Sequence, residues 1–242
     1  MKSTIGTIIF AAALFSCPAW GHEPPFTDDF RIEDCEFEAD GRNAYFSLIP
    51  GDQLVLSDED AVVQITVLQQ RRTIRFTTGS GKELRVKTRV VEEREWEDDE
   101  LVEVSRNYFA ICDQTGDVFY FGEAVDDYED GEIVGHDGAW LAGIGGAQPG
   151  ILMPGRYLLG ARYFQEIAPG IAMDRGENTA TGLTITTPAG TFHDCVEVIE
   201  TSPLEPGHES LKRYCPGIGL VEDDGILLEE YDLHRDREEE DD

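Results

Sequence analysis

The residues best suited to chemistry in this sequence lie in and near one turn-rich stretch, 163–175. Its polar side chains, and the aromatic residues that would complete a pocket with them, are Gln165, Glu166, Asp174, Arg175, Tyr163 and Trp140. Charged groups removed from water must be paired or must hold a ligand. One interpretation is an internal network in which Arg175 binds Glu166 or Asp174 and fixes a loop. The other interpretation is a ligand-binding site.

Two further positions offer metal ligands. Asp126, Asp127 and Asp130 precede a glycine turn and are loosely like the start of a calcium loop, but the later ligands of such a loop are missing. An ordinary Asp-Gly turn between strands explains the same residues. His22 would follow a cleaved export signal, and an imidazole beside a free terminal amine suits Cu²⁺. We expect no cofactor, with Ca²⁺ or Cu²⁺ as the alternative.

Signatures of the large enzyme classes do not occur in the sequence. It contains no G-x-S-x-G, no P-loop and no dinucleotide-binding fingerprint. Because 50 acidic residues make some carboxylate pair inevitable, a carboxylate-dependent hydrolase stays open without being indicated by any one pair. The sequence therefore favours a non-catalytic protein over an enzyme.

Four cysteines beyond the N-terminal segment predict two disulfides, Cys195–Cys215 and Cys35–Cys112. Cys195 and Cys215 lie symmetrically about the turn sequence 205–207. A hairpin that turns there places the two side chains opposite each other, at a separation that a disulfide can bridge. The other bridge follows by elimination, and both suit an oxidising compartment.

The N-terminal segment 1–21 has the layout of an export signal, with a positive start at Lys2, a short apolar core and a small-x-small cleavage site ending at Gly21. It is too short to span a bilayer. A lipid anchor at Cys17 is the alternative, which the bulky Phe15 disfavours. We expect a secreted or periplasmic protein without a transmembrane segment.

Charge excludes two classes of partner. The chain has 50 acidic and 19 basic residues and a formal net charge of -31. Such a surface repels nucleic acid and anionic membranes, so neither is an expected partner. Solubility explains the charge better than attraction of divalent cations does, because charge runs are usually solvated faces. The acidic segment 235–242 is expected to be a disordered tail.

Period-two alternation of apolar and polar residues recurs along the chain and predicts strands. The predicted strands are 61–69, 73–78, 84–90, 101–112, 117–122, 182–187, 191–201 and 226–231. Turn residues between them favour antiparallel neighbours. From 135 to 176 glycine and proline dominate, which predicts a long, ordered, loop-rich excursion. We expect one all-β domain over 22–234.

Two phrases in the C-terminal half, Thr187-Pro188-Ala189-Gly190-Thr191-Phe192 and Pro216-Gly217-Ile218-Gly219-Leu220-Val221, resemble a pattern of uncharacterised exported bacterial proteins. Three further segments, 90–95, 101–111 and 116–123, are similar to the same group. The resemblance implies a highly curved antiparallel sheet, a half-barrel or open barrel like that of lipoprotein carriers. It brings no catalytic residues with it. Glycine at 190, 217 and 219 suits sharp bends in such a sheet.

A curved sheet encloses a concavity, and a cluster of aromatic residues is available either to line it or to fill the core. These residues are Tyr108, Phe109, Phe119, Tyr120, Phe121 and Trp140. The expected function is therefore binding or carriage of a small or apolar ligand outside the cytoplasm. The alternatives are a Ca²⁺- or Cu²⁺-binding protein and a carboxylate-dependent hydrolase.

Overall fold

The computed structural model describes residues 24–234, whose regular structure is almost entirely strand. The strands are β1 (Phe37–Glu38), β2 (Gln53–Ser57), β3 (Ala61–Thr77), β4 (Glu83–Glu97), β5 (Glu100–Cys112), β6 (Val118–Glu129), β7 (Glu132–Gly135), β8 (Trp140–Leu141), β9 (Gln148–Met153), β10 (Arg162–Phe164), β11 (Glu166–Ile167), β12 (Arg175–Thr187), β13 (Gly190–Thr201), β14 (Glu209–Cys215), β15 (Gly219–Asp223) and β16 (Ile226–Asp232). One 3₁₀ turn, Ile32–Asp34, is the helical element of this range. Within 24–234 no helix is long and apolar enough to cross a membrane.

Several sequence predictions concern residues outside the described range. They are the export signal 1–21, the lipid site at Cys17, the copper ligand His22 and the acidic tail 235–242. The structure describes none of these residues, so these remain predictions.

The strands pair antiparallel, mostly with their neighbours in sequence, in the order β10-β12-β13-β14-β15-β16-β2-β3-β4-β5-β6-β9-β11. Alternation is the physical cause, because it gives each strand one face to bury, as in β2, where Leu54 and Leu56 are buried between half-buried neighbours. The all-β, antiparallel prediction is confirmed. The predicted strands 61–69 and 73–78 are one strand, β3, with a bulge between Val67 and Arg71.

The sheet curves until it is nearly closed into a barrel with one unsealed seam. The two strands that end the order, β10 and β11, are separated in the chain by Gln165 alone, so the chain itself passes across the seam. Gly150 of β9 lies against this crossing, where a Cβ atom would sit 2.3 Å from the carbonyl oxygen of Phe164. The backbones approach closely there because residue 150 has no side chain.

The Gly- and Pro-rich stretch 135–176 is loop-rich, as predicted, but it also supplies four short strands, β8 to β11. Among them β9 extends the sheet beside β6, and β11 pairs with β9. Period-two reading missed these strands because each is only two to six residues long.

A fully buried arginine fixes the bulge in β3. Arg89 is 1 % exposed, donates from Nη1 to the carbonyl oxygen of Gln69 at 2.9 Å and from Nε to that of Ala39 at 3.2 Å, and forms an ion pair with Asp40. Carbonyl groups freed by a bulge need donors, and the planar guanidinium supplies several at once. Arg89 therefore fixes the bulge, and with it the position of Val67 at the end of the preceding segment of β3.

Both predicted disulfides are present, Cys35–Cys112 and Cys195–Cys215. In the β13–β14 hairpin Val196 lies opposite Tyr214, so the neighbouring cysteines face each other as the symmetry about 205–207 predicts. The Cys35–Cys112 bridge attaches the N-terminal segment to β5, since β1 pairs with the end of that strand.

Replacing both Cys195 and Cys215 by Ala is expected to lower the free energy of unfolding by about 2 to 3 kcal/mol, because the bridge closes a 20-residue loop in the unfolded chain. Urea unfolding followed by tryptophan fluorescence measures this change. Treatment of the wild type with a reductant, at a concentration that opens this bridge in peptide maps, is the matched control. A variant as stable as the oxidised wild type would contradict the expectation.

Candidate functional site

A cavity of about 240 Å³ lies inside the curved sheet. Its walls are the inward faces of β2 to β6 on one side and of β13 to β15 on the other, and residues 165–174 close it near the seam. Because strand residues alternate between faces, each wall strand contributes every second side chain. The cavity is slightly smaller than the roughly 300 to 1,000 Å³ of drug-sized ligand pockets, so any occupant is small.

Polarity changes along the cavity in the same direction on both strands of the β4–β5 pair. On β5 the inward residues run from Phe109 through Asn107 and Ser105 to Glu103. On β4 they run from Val91 to a pair of glutamates, Glu93 and Glu95, which lie opposite Ser105 and Glu103. One end of the cavity is therefore apolar and the other acidic.

The apolar end is completed by residues of several elements. They are Phe46, Leu54, Ile65, Val67, Leu152, Ile218, Leu220 and Leu233. One carboxylate, Asp52, also lies here, but it is 3 % exposed and already accepts hydrogen bonds from Ser47 Oγ and the main-chain N–H of His234, each at 2.6 Å. The oxygens of Asp52 are thus already hydrogen-bonded within the protein.

A β-bulge in β6 turns two polar side chains toward the cavity. Asn107 pairs with Glu123 and Phe109 pairs with Tyr120, so β6 has one more residue than β5 between these pairs. Gly122 adopts φ 148° in the bulge, and a Cβ atom there would lie 2.8 Å from Leu141 and from the Trp140 carbonyl oxygen. As a result Tyr120 and Glu123, three residues apart, both line the cavity.

The opposite wall places one lysine among carboxylates. Lys212 donates from Nζ to Asp223 Oδ2 at 2.6 Å, and its nitrogen lies 3.8 Å from Glu200 Oε2. Burial alone would lower the pKa of Lys212, but the negative charges of Glu200 and Asp223 outweigh it and raise that pKa well above its usual value. Lys212 is therefore a permanent cation.

Three residues predicted from sequence, Gln165, Glu166 and Asp174, line this cavity. Gln165 donates from Nε2 to Glu200 at 2.5 Å, and the main-chain N–H of Asp174 donates to Glu166 Oε1 at 2.5 Å. Glu166 is 2 % exposed, and burial together with the nearby charge of Asp174 raises its pKa well above the usual value. Burial also raises the pKa of Asp174. Both carboxyls therefore hold their protons more tightly than exposed ones do.

The other three residues predicted for this site lie elsewhere. Arg175 points to the outer face, where its guanidinium stacks on the ring of Phe26 at 4.3 Å, and it pairs with neither Glu166 nor Asp174 among the described contacts. Tyr163 is buried and donates to Asn178 Oδ1 at 3.1 Å. Trp140 packs edge-to-face on Tyr120, with 5.1 Å between ring centroids, behind the cavity wall.

Asp126, Asp127 and Asp130 do not come together around one point. Asp126 binds Arg106 at 2.9 Å and His136 at 3.2 Å, whereas Asp127 accepts the main-chain N–H of Asp137 at 2.8 Å. Asp130 adopts φ 54° in the turn between β6 and β7, as an Asp-Gly turn requires. Over residues 24–234 no group of three or more His, Cys, Asp or Glu side chains is arranged to hold a metal ion. Metal binding stays a prediction.

Nine of the described residues that line the cavity are acidic, and Lys212 is the single basic one. Burial raises the pKa values of several of these carboxyls, and the charges of neighbouring carboxylates raise them further. Burial, followed by the charge of Glu95, raises the pKa of Glu93 to about 8. Burial, followed by neighbouring carboxylates, raises the pKa of Glu103 to about 7, and burial raises that of Glu123 to about 7. Near neutral pH the acidic end is therefore partly protonated.

Sequence reasoning missed most of this site, including Glu93, Glu103, Glu123, Glu200 and Lys212. The acids on β4 alternate with outward residues that are also charged, Glu92 and Arg94, so no polarity difference separates the faces. The one usable signal was the period-two series on β5 from Phe109 to Glu103, which becomes steadily more polar. A glutamate at the end of such a series indicates a polar interior.

No protein-family profile, curated protein or solved structure matches this chain.

Proposed function

We propose that the protein is a non-catalytic binding protein for a small organic cation, one with a protonated amine at one end and an apolar body. The proposal rests on the polarity of the cavity. One end has apolar residues around Phe109 and Val67, and the other has a carboxyl cluster around a single lysine. A small ligand, as expected from the sequence, would then need an apolar part for the apolar end of the cavity and a positive charge for the acidic end.

Electrostatics favours a cation at the acidic end. Like-charged carboxylates in a region of low dielectric repel each other, and a positive charge placed among them removes that repulsion. An anion placed there would add to the repulsion among the carboxylates. Glu93, Glu103 and Glu123 have no basic partner within hydrogen-bonding distance in the described contacts, so no cation of the protein neutralises them.

The apolar end favours a ligand with a hydrocarbon part. Phe109, Leu54 and Val67 present carbon surface to the cavity, and burying a methylene group there contributes about 0.8 kcal/mol. The volume of about 240 Å³ limits the ligand to a small molecule. A short alkylamine has the required chemistry.

Titration calorimetry with hexylammonium at about pH 8 tests the proposal, with hexanoate as the probe of opposite charge. We expect hexylammonium to bind and hexanoate not to bind. Binding of hexanoate with equal affinity, or binding of Ca²⁺ without hexylammonium, would contradict it. In a series from butylammonium to hexylammonium, each added methylene should tighten binding about fourfold.

Glu103→Gln locates the charge that the ligand recognises. Removing this carboxylate is expected to weaken hexylammonium binding about tenfold, because one attractive charge is lost in a poorly solvated place. Glu100→Gln on the same strand is the matched control, since Glu100 is exposed and outside the cavity. Equal affinities in the two variants would place the amine elsewhere.

Location outside the cytoplasm is part of the same proposal. The two disulfides support an oxidising compartment, and the N-terminal segment has the layout of an export signal. A binding protein of this kind would take up its ligand in the periplasm or outside the cell. Resemblance to curved-sheet carrier proteins supports a binding role.

A carboxylate-dependent hydrolase is the second candidate, because Glu166 and Asp174 both line the cavity and burial raises the pKa of each. A carboxyl beside a carboxylate is the arrangement that general acid and base catalysis needs. Glu166→Gln would then abolish turnover of a substrate that the wild type hydrolyses while leaving hexylammonium affinity nearly unchanged. Loss of folding in this variant would instead mark the pair as structural.

A further inference from the structure

We infer that entry of an organic cation expels protons from the carboxyl cluster, so that the protein binds its ligand more tightly as the pH rises. This inference rests on the proposed function, because it concerns the regulation of the same cavity. It follows from how many ionisable groups the fold crowds around one cation.

Every wall of the acidic end contributes ionisable groups. Those facing Glu93 and Glu123 are Glu95 of β4, Glu103 of β5, Tyr120 of β6, Glu166 and Asp174 of the segment 165–174, Glu200 of β13, Lys212 and Tyr214 of β14 and Asp223 of β15. In addition, the charge of Asp127 of β6 acts on Glu103. The outward charges of the same strands pair with one another, as Arg106 does with Glu92 and Asp126. They leave the interior carboxyls uncompensated.

One lysine cannot balance this set. Lys212 is engaged by Asp223 and Glu200, which leaves Glu93, Glu95, Glu103 and Glu123 without a cation in contact. Carboxylates close together in a poorly solvated interior cannot all ionise near neutral pH, so some keep their protons. The raised pKa values of Glu93, Glu103 and Glu123 agree with this geometry.

A bound ammonium group reduces the repulsion between the carboxyls, as the bound protons do in its absence. Once a positive charge lies among the carboxyls, ionisation of a neighbour becomes favourable and a proton leaves for solvent. The ligand itself stays protonated, because an alkylamine has a pKa near that of lysine, about 10.4. All released protons therefore come from the protein, about one per ligand at about pH 6.5. The affinity should rise about tenfold per pH unit below pH 7 and level off above pH 8.

Calorimetry of hexylammonium binding at about pH 6.5, in phosphate and in HEPES, counts these protons. The two buffers differ in ionisation enthalpy, so the difference between the apparent binding enthalpies gives the number of protons released. We expect about one proton per hexylammonium. Failure to bind hexylammonium from pH 6 to pH 8.5 would overturn the proposed function itself. Binding with no proton exchange and a pH-independent affinity would overturn this inference alone.

Glu123→Gln assigns the protons to the cluster. The variant should release about half as many protons as the wild type and show a shallower pH dependence of affinity. Glu103→Gln, at a less buried position, is the second variant and should act in the same direction. Exposed Glu100→Gln should behave like the wild type. Unchanged proton release in both cavity variants would place the titrating groups outside the cavity and refute the inference.

Discussion

Replacing Lys212 by Met is expected to lower the free energy of unfolding by about 3 to 5 kcal/mol at about pH 8. The substitution removes the single basic side chain that lines the cavity and leaves the mostly buried carboxylates of Asp223 and Glu200 without a positively charged partner. At about pH 5 the loss should be smaller, because the carboxyls can take up protons instead. Urea unfolding at both pH values measures the two losses.

Lys87→Met is the matched control for this variant. Lys87 lies on β4 with its side chain exposed, so its removal should change the free energy of unfolding by less than about 0.5 kcal/mol. If Lys212→Met were no more destabilising than the control at either pH, the description of the cavity as a carboxyl cluster held by one cation would be wrong.

Stability is expected to fall as the pH rises from about 4.5 to about 8. The pKa of Glu93 is raised from 4.5 in the unfolded chain to about 8 in the folded protein, so the native state binds the proton more tightly. The stability from this group is therefore fully present below its unfolded pKa and is lost as the pH passes its folded pKa. Glu103 and Glu123, with pKa values raised to about 7, add losses of the same sign.

Glu93→Gln removes one of these titrations. At about pH 8 the variant should be more stable than the wild type by on the order of 2 to 3 kcal/mol, whereas at about pH 4.5 the two should be nearly equal. Glu97→Gln, at the exposed end of the same strand, should match the wild type at both pH values. Urea unfolding across this range would refute the account if Glu93→Gln were destabilising at about pH 8.

The all-β fold could be read from the sequence because alternation is a local property. In β4 and β5 each apolar residue needs only its own strand to define a face, and the cysteine hairpin needs only symmetry about its turn. The short strands β8 to β11 could not be read, since they are defined by partners far away in the chain. Gln165 illustrates this, because it lies between β10 and β11, and these two strands are defined by their pairing with β12 and β9.

The candidate site was only partly predictable, for a related reason. Glu166 and Asp174 were found because acids within an apolar stretch conflict with their surroundings. Arg175, in the same stretch, lies outside because adjacent residues of an extended chain face opposite sides. Glu123 was missed because a bulge at Gly122 changes the face of the residues that follow, and the sequence does not show which glycine makes a bulge.

The most direct test of the central claim is a crystal structure of the protein grown with hexylammonium at about pH 8. The account predicts the ammonium nitrogen among the carboxyl groups of Glu93, Glu103 and Glu123, with the alkyl chain extending toward Phe109 and Val67. A cavity without ligand at concentrations that saturate binding, with hexylammonium on the outer surface or with its nitrogen at the apolar end, would contradict it.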